Sequence, residues 1–328
     1  MKLPSSGEIR NEFKNINEDF ITESRETIGN ILSGNDSRLL IIVGPCSIYN
    51  LDASMEYAQR LHALAKDVDD VMFIVMRTYI EKSRTSVGWP GFVLEPRGPG
   101  RGDVSTGLRK SREFFCQLQA LGVPLACEMV NPLILPYIED LVSWFSVGAR
   151  NVGSYLHRVA ASNLSVPVGF KNPLCGNIDI ALDALRVAQQ QNPYIYLDEA
   201  GVCESLSSGA PWAHVVLRGS HQGVNYHRET IENVRSRLEG LNLNPSVIVD
   251  CSHMNARNKA RLQSKVLETV INDSRDLIAG VMMESFLVEG RQGFDSSRYG
   301  QSVTDDCMGW DETVELIRQT ANKLRGLS

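Results

Sequence analysis

Four side chains able to bind a borderline divalent ion lie far apart in this sequence: Cys46, His253, Glu284 and a carboxylate at Asp305 or Asp306. A thiolate, an imidazole and two carboxylates form a mixed S/N/O donor set. It suits Mn²⁺, Fe²⁺, Co²⁺ or Zn²⁺ and disfavours Ca²⁺ or Mg²⁺. A structural zinc site would instead use Cys and His at close spacing. Taken singly, Cys46 reads equally as a small buried hydrophobe and His253 as an ordinary core or surface residue. A second set is cationic: Arg77, Lys82, Arg84, Arg150, Lys171 and Arg218. Each alone reads as a surface cation. Converging, they would bind phosphate and carboxylate, since guanidinium forks grip these groups bidentately and ammonium groups add point charges.

Convergence depends on the elements that carry these residues. Short apolar, β-branched runs occupy 39–43, 71–76, 125–126, 145–147, 166–170, 214–217, 246–249 and 278–282. Continuous apolar runs of this length suit parallel strands covered on both faces. Helical periodicity lies between them, as in 256–271, where Leu262, Val266, Leu267, Val270 and Ile271 share a face, and again from Asp311 onward. Eight strand–helix units within 37–328 predict a (β/α)₈ TIM barrel catalytic domain. Residues 1–36 form a short N-terminal helical extension. An open doubly wound sheet is disfavoured because no GxGxxG follows the first strand. Nearly every run ends in a polar or charged residue: Cys46, Arg77, Glu128, Arg150, Lys171, Arg218, His253 and Glu284. A barrel collects these ends on one face, where active sites are built.

Bulk properties set the outer limits. The chain has 328 residues, 43% apolar and 22% charged, enough to bury a large core. The net charge of −6 with no basic run argues against nucleic acid as a partner. Seven cysteines with irregular spacing and no CxxC do not form a disulfide framework. The polar N-terminal stretch has no apolar signal core, and no run approaches about 18 apolar residues. A reducing cytoplasm and no membrane association are therefore expected.

Eight motifs carry a resemblance. They are GPCSI at 44–48, R-x-Y-x-E-K-x-R-T-x-V-G-W at 77–89, GAR at 148–150, PVGFKN at 167–172, LRG at 217–219, D-x-SH-x-N at 250–255, GVM-x-ES-x-LVEG-x-Q at 280–292 and S-x-TD-x-C-x-GW at 302–310. In this order the sequence resembles the type I 3-deoxy-D-arabino-heptulosonate 7-phosphate (DAHP) synthases, from about residue 22 to 324. The resemblance implies a (β/α)₈ enzyme condensing phosphoenolpyruvate with D-erythrose 4-phosphate, on the route to chorismate and the aromatic amino acids. It implies a divalent metal, Mn²⁺ first with Fe²⁺, Co²⁺ or Zn²⁺ as alternatives, on Cys46, His253, Glu284 and Asp305. It places phosphoenolpyruvate on Arg77, Lys82, Arg150, Lys171 and Arg218, and the aldose phosphate on Arg84 and Thr85. Lys82, Glu128 and His253 are the candidate catalytic residues. Lys82 is the expected proton donor, and Glu128 would orient or activate a water. A homo-oligomer, dimer or tetramer, is the expected assembly.

The metal and cation positions match the family, while the shell around the acceptor and effector regions departs from it, Lys82-Ser83-Arg84-Thr85 standing for KPRT. The family's TTESQ after GAR is Asn151-Val152-Gly153-Ser154-Tyr155 here, GFKNGTDG becomes GFKNPLCG, and Phe286 replaces a histidine. They motivate an alternative, a paralogue taking a different aldehyde in specialised metabolism. The short, polar N-terminus and the altered segments 131–138 and 192–208 further predict that no pocket survives for an aromatic amino acid effector, and hence insensitivity to phenylalanine, tyrosine and tryptophan.

Overall fold

The computed structural model describes residues 2–198, 201–296 and 298–326. Two helices open the chain. The first, α1 (Ser6–Glu12), is started by a capping box between Ser5 and Glu8; the second, α2 (Glu18–Leu32), is capped by the Asn17 side chain. The strands and helices then alternate: β1 (Leu39–Gly44), α3 (Leu51–Val68), β2 (Met72–Arg77), α4 (Val104–Leu121), β3 (Leu125–Glu128), α5 (Leu135–Ile138), β4 (Trp144–Val147), α6 (Tyr155–Ser162), β5 (Val168–Lys171) and α7 (Asp179–Ala188). An antiparallel hairpin, β6 (Pro193–Asp198) and β7 (Gly201–Leu206), interrupts the alternation. It resumes with β8 (His214–Leu217), α8 (Arg228–Gly240), β9 (Val247–Asp250), α9 (Gln263–Ser274) and β10 (Gly280–Glu284). A small pair, β11 (Val288–Arg291) and β12 (Gln301–Ser302), precedes α10 (Trp310–Leu324).

Strands β1, β2, β3, β4, β5, β8, β9 and β10 pair in parallel and close on themselves, β1 lying between β2 and β10. This is the expected TIM barrel. Its strands are buried on both faces, which explains why they read as unbroken apolar runs. Inside, Leu40, Ile42, Val75, Ala126, Trp144, Val216, Ile248 and Met282 form one core. Ile28, Ile31 and Leu32 of α2 join that core, so the N-terminal extension plugs one end of the barrel. The other strand faces pack under the outer helices in a second, larger core.

Two sequence expectations need correction. Most of the strands run one or two residues further than their apolar runs. Arg77, Glu128, Lys171, Asp250 and Glu284 are thus the last residues of their own strands, held by barrel pairing rather than by loops. The helix expected over 256–271 begins only at Gln263. Before it the chain turns through left-handed residues, Arg257 (φ 52°) and Asn258 (φ 54°), while Asn255 ties the loop to the Leu217 and Asp250 carbonyls. Apolar periodicity does not register such side-chain anchoring. It also gave no sign of the two-stranded additions.

Candidate active site

At the C-terminal mouth of the barrel, the Cys46, Glu284 and Asp305 ligand atoms lie within 4.8 Å of one another. Cys46 follows β1, Glu284 ends the adjacent β10, and Asp305 arrives from the loop before α10. The Cys46 sulfur is 3.2 Å from Asp305 Oδ2. His253 approaches from the loop after β9, its Nε2 3.7 Å from Glu284 Oε1. The opposite ring nitrogen, Nδ1, lies 2.9 Å from Asp250 Oδ2 and 2.7 Å from Ser252 Oγ. Ser252 itself donates to Asp250 Oδ1. Nδ1–H therefore faces the carboxylate and Nε2 is left as a bare donor towards the cluster, the arrangement that orients metal-binding imidazoles. Asp306 is committed elsewhere, accepting from the Ala260 backbone N–H at 2.8 Å. Of the two adjacent carboxylates, it is Asp305 that faces Cys46.

Lys82 sits among these ligands. Its Nζ donates to Cys46 Sγ and to Asp305 Oδ2, each at 2.8 Å. Burial works against its charge, but Cys46, Asp305 and Glu284 keep it protonated well above the ordinary lysine range. The ammonium in turn holds Asp305 far below the usual carboxylate range despite partial burial. Burial, with Glu284 beside it, pushes the Cys46 thiol well up. Two cations meet this cluster, the Lys82 ammonium at Asp305 and the Arg77 guanidinium at Glu284.

The six cations divide into two groups. Arg77 is buried, donates to Glu284 at 2.9 Å and lies 4.0 Å from the Tyr79 ring centre. Lys171 pairs with Asp250 at 2.9 Å, and Lys82 pairs with Asp305. Arg84, Arg150 and Arg218 form no ion pair among the described residues. Arg218 is 5% exposed; its backbone N–H donates to Asn172 Oδ1, and among the described residues its guanidinium donates only to the neighbouring Gly219 carbonyl. Burial and the nearby Arg150 charge lower its affinity for its proton, while Asp250 opposes them. Arg150 donates to Thr85 Oγ1, and Arg84 donates to the Trp89 carbonyl. Burying a guanidinium such as that of Arg218 without a carboxylate is costly unless an anion completes the site, whereas Arg84 and Arg150 are exposed and free to meet one. The sequence divided the six by substrate; the structure divides them by partner, leaving Arg84, Arg150 and Arg218 without a carboxylate among the described residues.

Glu128 ends β3 and its carboxylate lies directly over Gly148, where any Cβ would collide with Oε1. A side chain at 148 would therefore displace the Glu128 carboxylate from this position. Two acids were underrated by sequence reasoning. Asp250 holds both Lys171 and His253, and the DxSH motif contained it in plain view. His253 and Lys171 hold Asp250 well below the carboxylate range even though burial opposes them. Glu81 is buried without a cation and accepts from the Asn131 N–H at 3.3 Å. Burial, the Glu128 charge adding to it, raises its carboxyl to about 8.

A cleft nevertheless lies beside the altered segments. Segments from 131–139 and 193–197 enclose, with Ser6 and Arg10 of α1, a cleft of about 740 Å³ lined largely by apolar side chains such as Leu135, Tyr194 and Leu197. Insensitivity to aromatic amino acids therefore cannot be argued from a missing pocket. No helix among the described residues is long and apolar enough to cross a membrane.

Known proteins resemble this chain over most of its length. Residues 13–318 match the DAHP synthetase I family. The chain is 41% identical over 314 residues to the Tyr-sensitive phospho-2-dehydro-3-deoxyheptonate aldolase of Escherichia coli K12, covering 93% of this chain and 88% of that one. It is 42% identical over 309 residues to the Trp-sensitive enzyme of the same organism, covering 92% and 88%. The solved structure of phospho-2-dehydro-3-deoxyheptonate aldolase from Francisella tularensis superposes with a TM-score of 0.96 at 33% identity, covering 100% of this chain and 98% of that one. Sequence, fold and relatives agree over almost the full length, and the chain belongs to the DAHP synthetase I family.

Proposed function

We infer that the protein condenses phosphoenolpyruvate with D-erythrose 4-phosphate, giving 3-deoxy-D-arabino-heptulosonate 7-phosphate and phosphate, the first step of the shikimate pathway. The observation that carries this reading is the placement of the uncompensated Arg84, Arg150 and Arg218 at one barrel mouth beside the Cys46–Glu284–Asp305 cluster. Phosphoenolpyruvate brings a phosphate and a carboxylate, and the aldose phosphate brings a second phosphate. Three cations without carboxylate partners suit that load. The relatives give no support to a different aldehyde acceptor.

In this reading Arg150 and Arg218 grip phosphoenolpyruvate, with Lys171 and Arg77 lining its site. Arg84 and Thr85 grip the phosphate of the acceptor. Cys46, His253, Glu284 and Asp305 hold a divalent ion, Mn²⁺ before Fe²⁺, Co²⁺ or Zn²⁺, because thiolate, imidazole and carboxylate donors together favour a borderline ion. Bound there, the ion supplies Lewis-acid polarisation of an aldehyde oxygen. C3 of phosphoenolpyruvate attacks the aldehyde carbon, and Lys82 delivers a proton to the oxygen that gains charge. Glu128 orients the water that adds to C2, and phosphate then leaves C2 to give the 2-keto product. Asp250 keeps the His253 ring turned so that Nε2 faces the ligand cluster. A homo-oligomer, dimer or tetramer, is supported by the apolar side chains of the β6–β7 hairpin, where Ile195, Leu197, Val202 and Leu206 are exposed; sedimentation analysis reads this directly.

The test of the acceptor is a turnover panel. With Mn²⁺ present, phosphoenolpyruvate consumption is expected with erythrose 4-phosphate and to be far slower with ribose 5-phosphate, arabinose 5-phosphate or unphosphorylated aldehydes. Preference for another aldehyde would overturn the assignment.

A further inference from the structure

Phe294 stands outside the site described above, in the loop between β11 and β12, yet it leans on the segment that presents Arg84. Its ring meets the Trp89 ring edge-on, with centroids 5.0 Å apart and planes at 62°. Trp89 is 4% exposed, and its indole N–H donates to the Glu95 carbonyl at 3.0 Å. The backbone carbonyl of this same Trp89 accepts from Arg84 Nε at 2.9 Å. Arg84 also lies flat against Gly88, where a Cβ would sit 3.0 Å from Nε. Arg84 is thus an exposed side chain on an exposed loop, fixed chiefly by the backbone of the residue whose ring Phe294 clamps. On its other side Phe294 meets Tyr49, ring centroids 6.5 Å apart. Gln292 closes the loop that carries it by donating to the Tyr49 hydroxyl at 3.3 Å and the Gln301 carbonyl at 2.9 Å.

We propose that Phe294 is a positioning residue for the acceptor phosphate, clamping Trp89 so that its carbonyl aims the Arg84 guanidinium at the barrel mouth. The proposal rests on the reading of Arg84 as an acceptor-phosphate ligand. Edge-on aromatic pairs are worth more than their buried area alone, and Trp89 has one such partner in Phe294. The ring partners of Phe294 among the described residues, Trp89 and Tyr49, are neither metal ligands nor phosphoenolpyruvate cations, so its effect falls on one substrate. The clamp crosses two loops separated by two hundred residues of chain, which is why neither loop's sequence displays it.

The experiment is steady-state kinetics of Phe294→Ala, Phe294→Leu, Arg84→Ala and the Phe294→Ala/Arg84→Ala double variant. Phe294→Ala is expected to raise KM for erythrose 4-phosphate about fivefold to tenfold, the scale of a lost aromatic pair, with kcat and KM for phosphoenolpyruvate held within about twofold. Phe294→Leu is expected to recover most of the loss. In the double variant the Phe294→Ala effect should vanish, because the group it aims is gone. If Arg84→Ala raises the acceptor KM but Phe294→Ala does not, or if their effects simply multiply, the clamp is refuted while the acceptor site stands. If Arg84→Ala leaves the acceptor KM unchanged, the acceptor-site reading itself fails, and the clamp with it.

Discussion

The Lys82 ammonium lies 2.8 Å from the Cys46 sulfur, placing a proton-bearing group inside the proposed metal-ligand cluster. A purely structural counter-ion would be replaceable by the metal itself. A proton donor would not. Lys82→Met is expected to lower kcat about 100-fold or more, the usual scale for a lost general acid, while divalent-ion binding measured by equilibrium dialysis persists. A kcat within a few-fold of the parent would remove Lys82 from the chemistry.

The ligand assignment makes its own prediction. Cys46→Ala, His253→Ala, Glu284→Ala and Asp305→Ala should each lose bound metal on gel filtration, whereas Asp306→Asn should keep it, since Asp306 is turned to the Ala260 N–H. Metal analysis of the purified variants reads this without reference to turnover. Full occupancy in the Asp305 variant and loss in the Asp306 variant would reverse the choice between the two.

Arg218 is buried without a carboxylate partner, so an anion is expected to complete it. Arg218→Ala should weaken phosphoenolpyruvate binding by about 1.5–3 kcal/mol, the range for a hydrogen bond to a charged group. Isothermal titration of metal-loaded protein with phosphoenolpyruvate checks this. An unchanged Kd would take Arg218 out of the phosphoenolpyruvate site.

The sequence displayed these positions unevenly, for physical reasons. All eight barrel strands were visible because burial on both faces leaves an unbroken apolar run, as in Leu39–Gly44. The candidate residues were visible because they end those runs. Which cations would lack a carboxylate partner was not visible: Arg77 and Arg218 look alike until Glu284 is found paired with one, while the other forms no ion pair among the described residues. The β6–β7 hairpin was missed because its alternation of exposed and half-buried residues includes Tyr194, Tyr196 and Cys203, a weak period-two signal. The late start of α9 was missed because Asn255 fixes the preceding loop through contacts to Leu217 and Asp250, distant or unremarkable in sequence.

A pH effect on stability follows from the barrel interior. His214 is fully buried, with Nδ1 2.8 Å from the Trp212 carbonyl and Nε2 facing the Trp144 indole N–H at 3.2 Å. This geometry uses the neutral ring, and burial lowers its pKa to about 4. A histidine depressed in the folded state contributes stability above the unfolded value of about 6.5, and loses it as pH falls towards the folded value. The loss by pH 5 is roughly 2 kcal/mol. Urea unfolding at pH 7 and pH 5 should show this drop in the parent and a smaller one in His214→Gln. Equal drops in both would place the acid sensitivity elsewhere.

In the proposed function, one barrel mouth joins phosphoenolpyruvate to erythrose 4-phosphate with the help of a divalent ion held by Cys46, His253, Glu284 and Asp305. Its most direct test is the initial rate of phosphoenolpyruvate loss in the presence of erythrose 4-phosphate, measured on chelator-stripped protein before and after adding Mn²⁺. The account predicts no turnover when stripped and restoration with Mn²⁺, with phosphate and the seven-carbon keto acid phosphate formed in equal amounts. Undiminished turnover in excess chelator, or no phosphoenolpyruvate consumption with any of Mn²⁺, Fe²⁺, Co²⁺ or Zn²⁺, would contradict it.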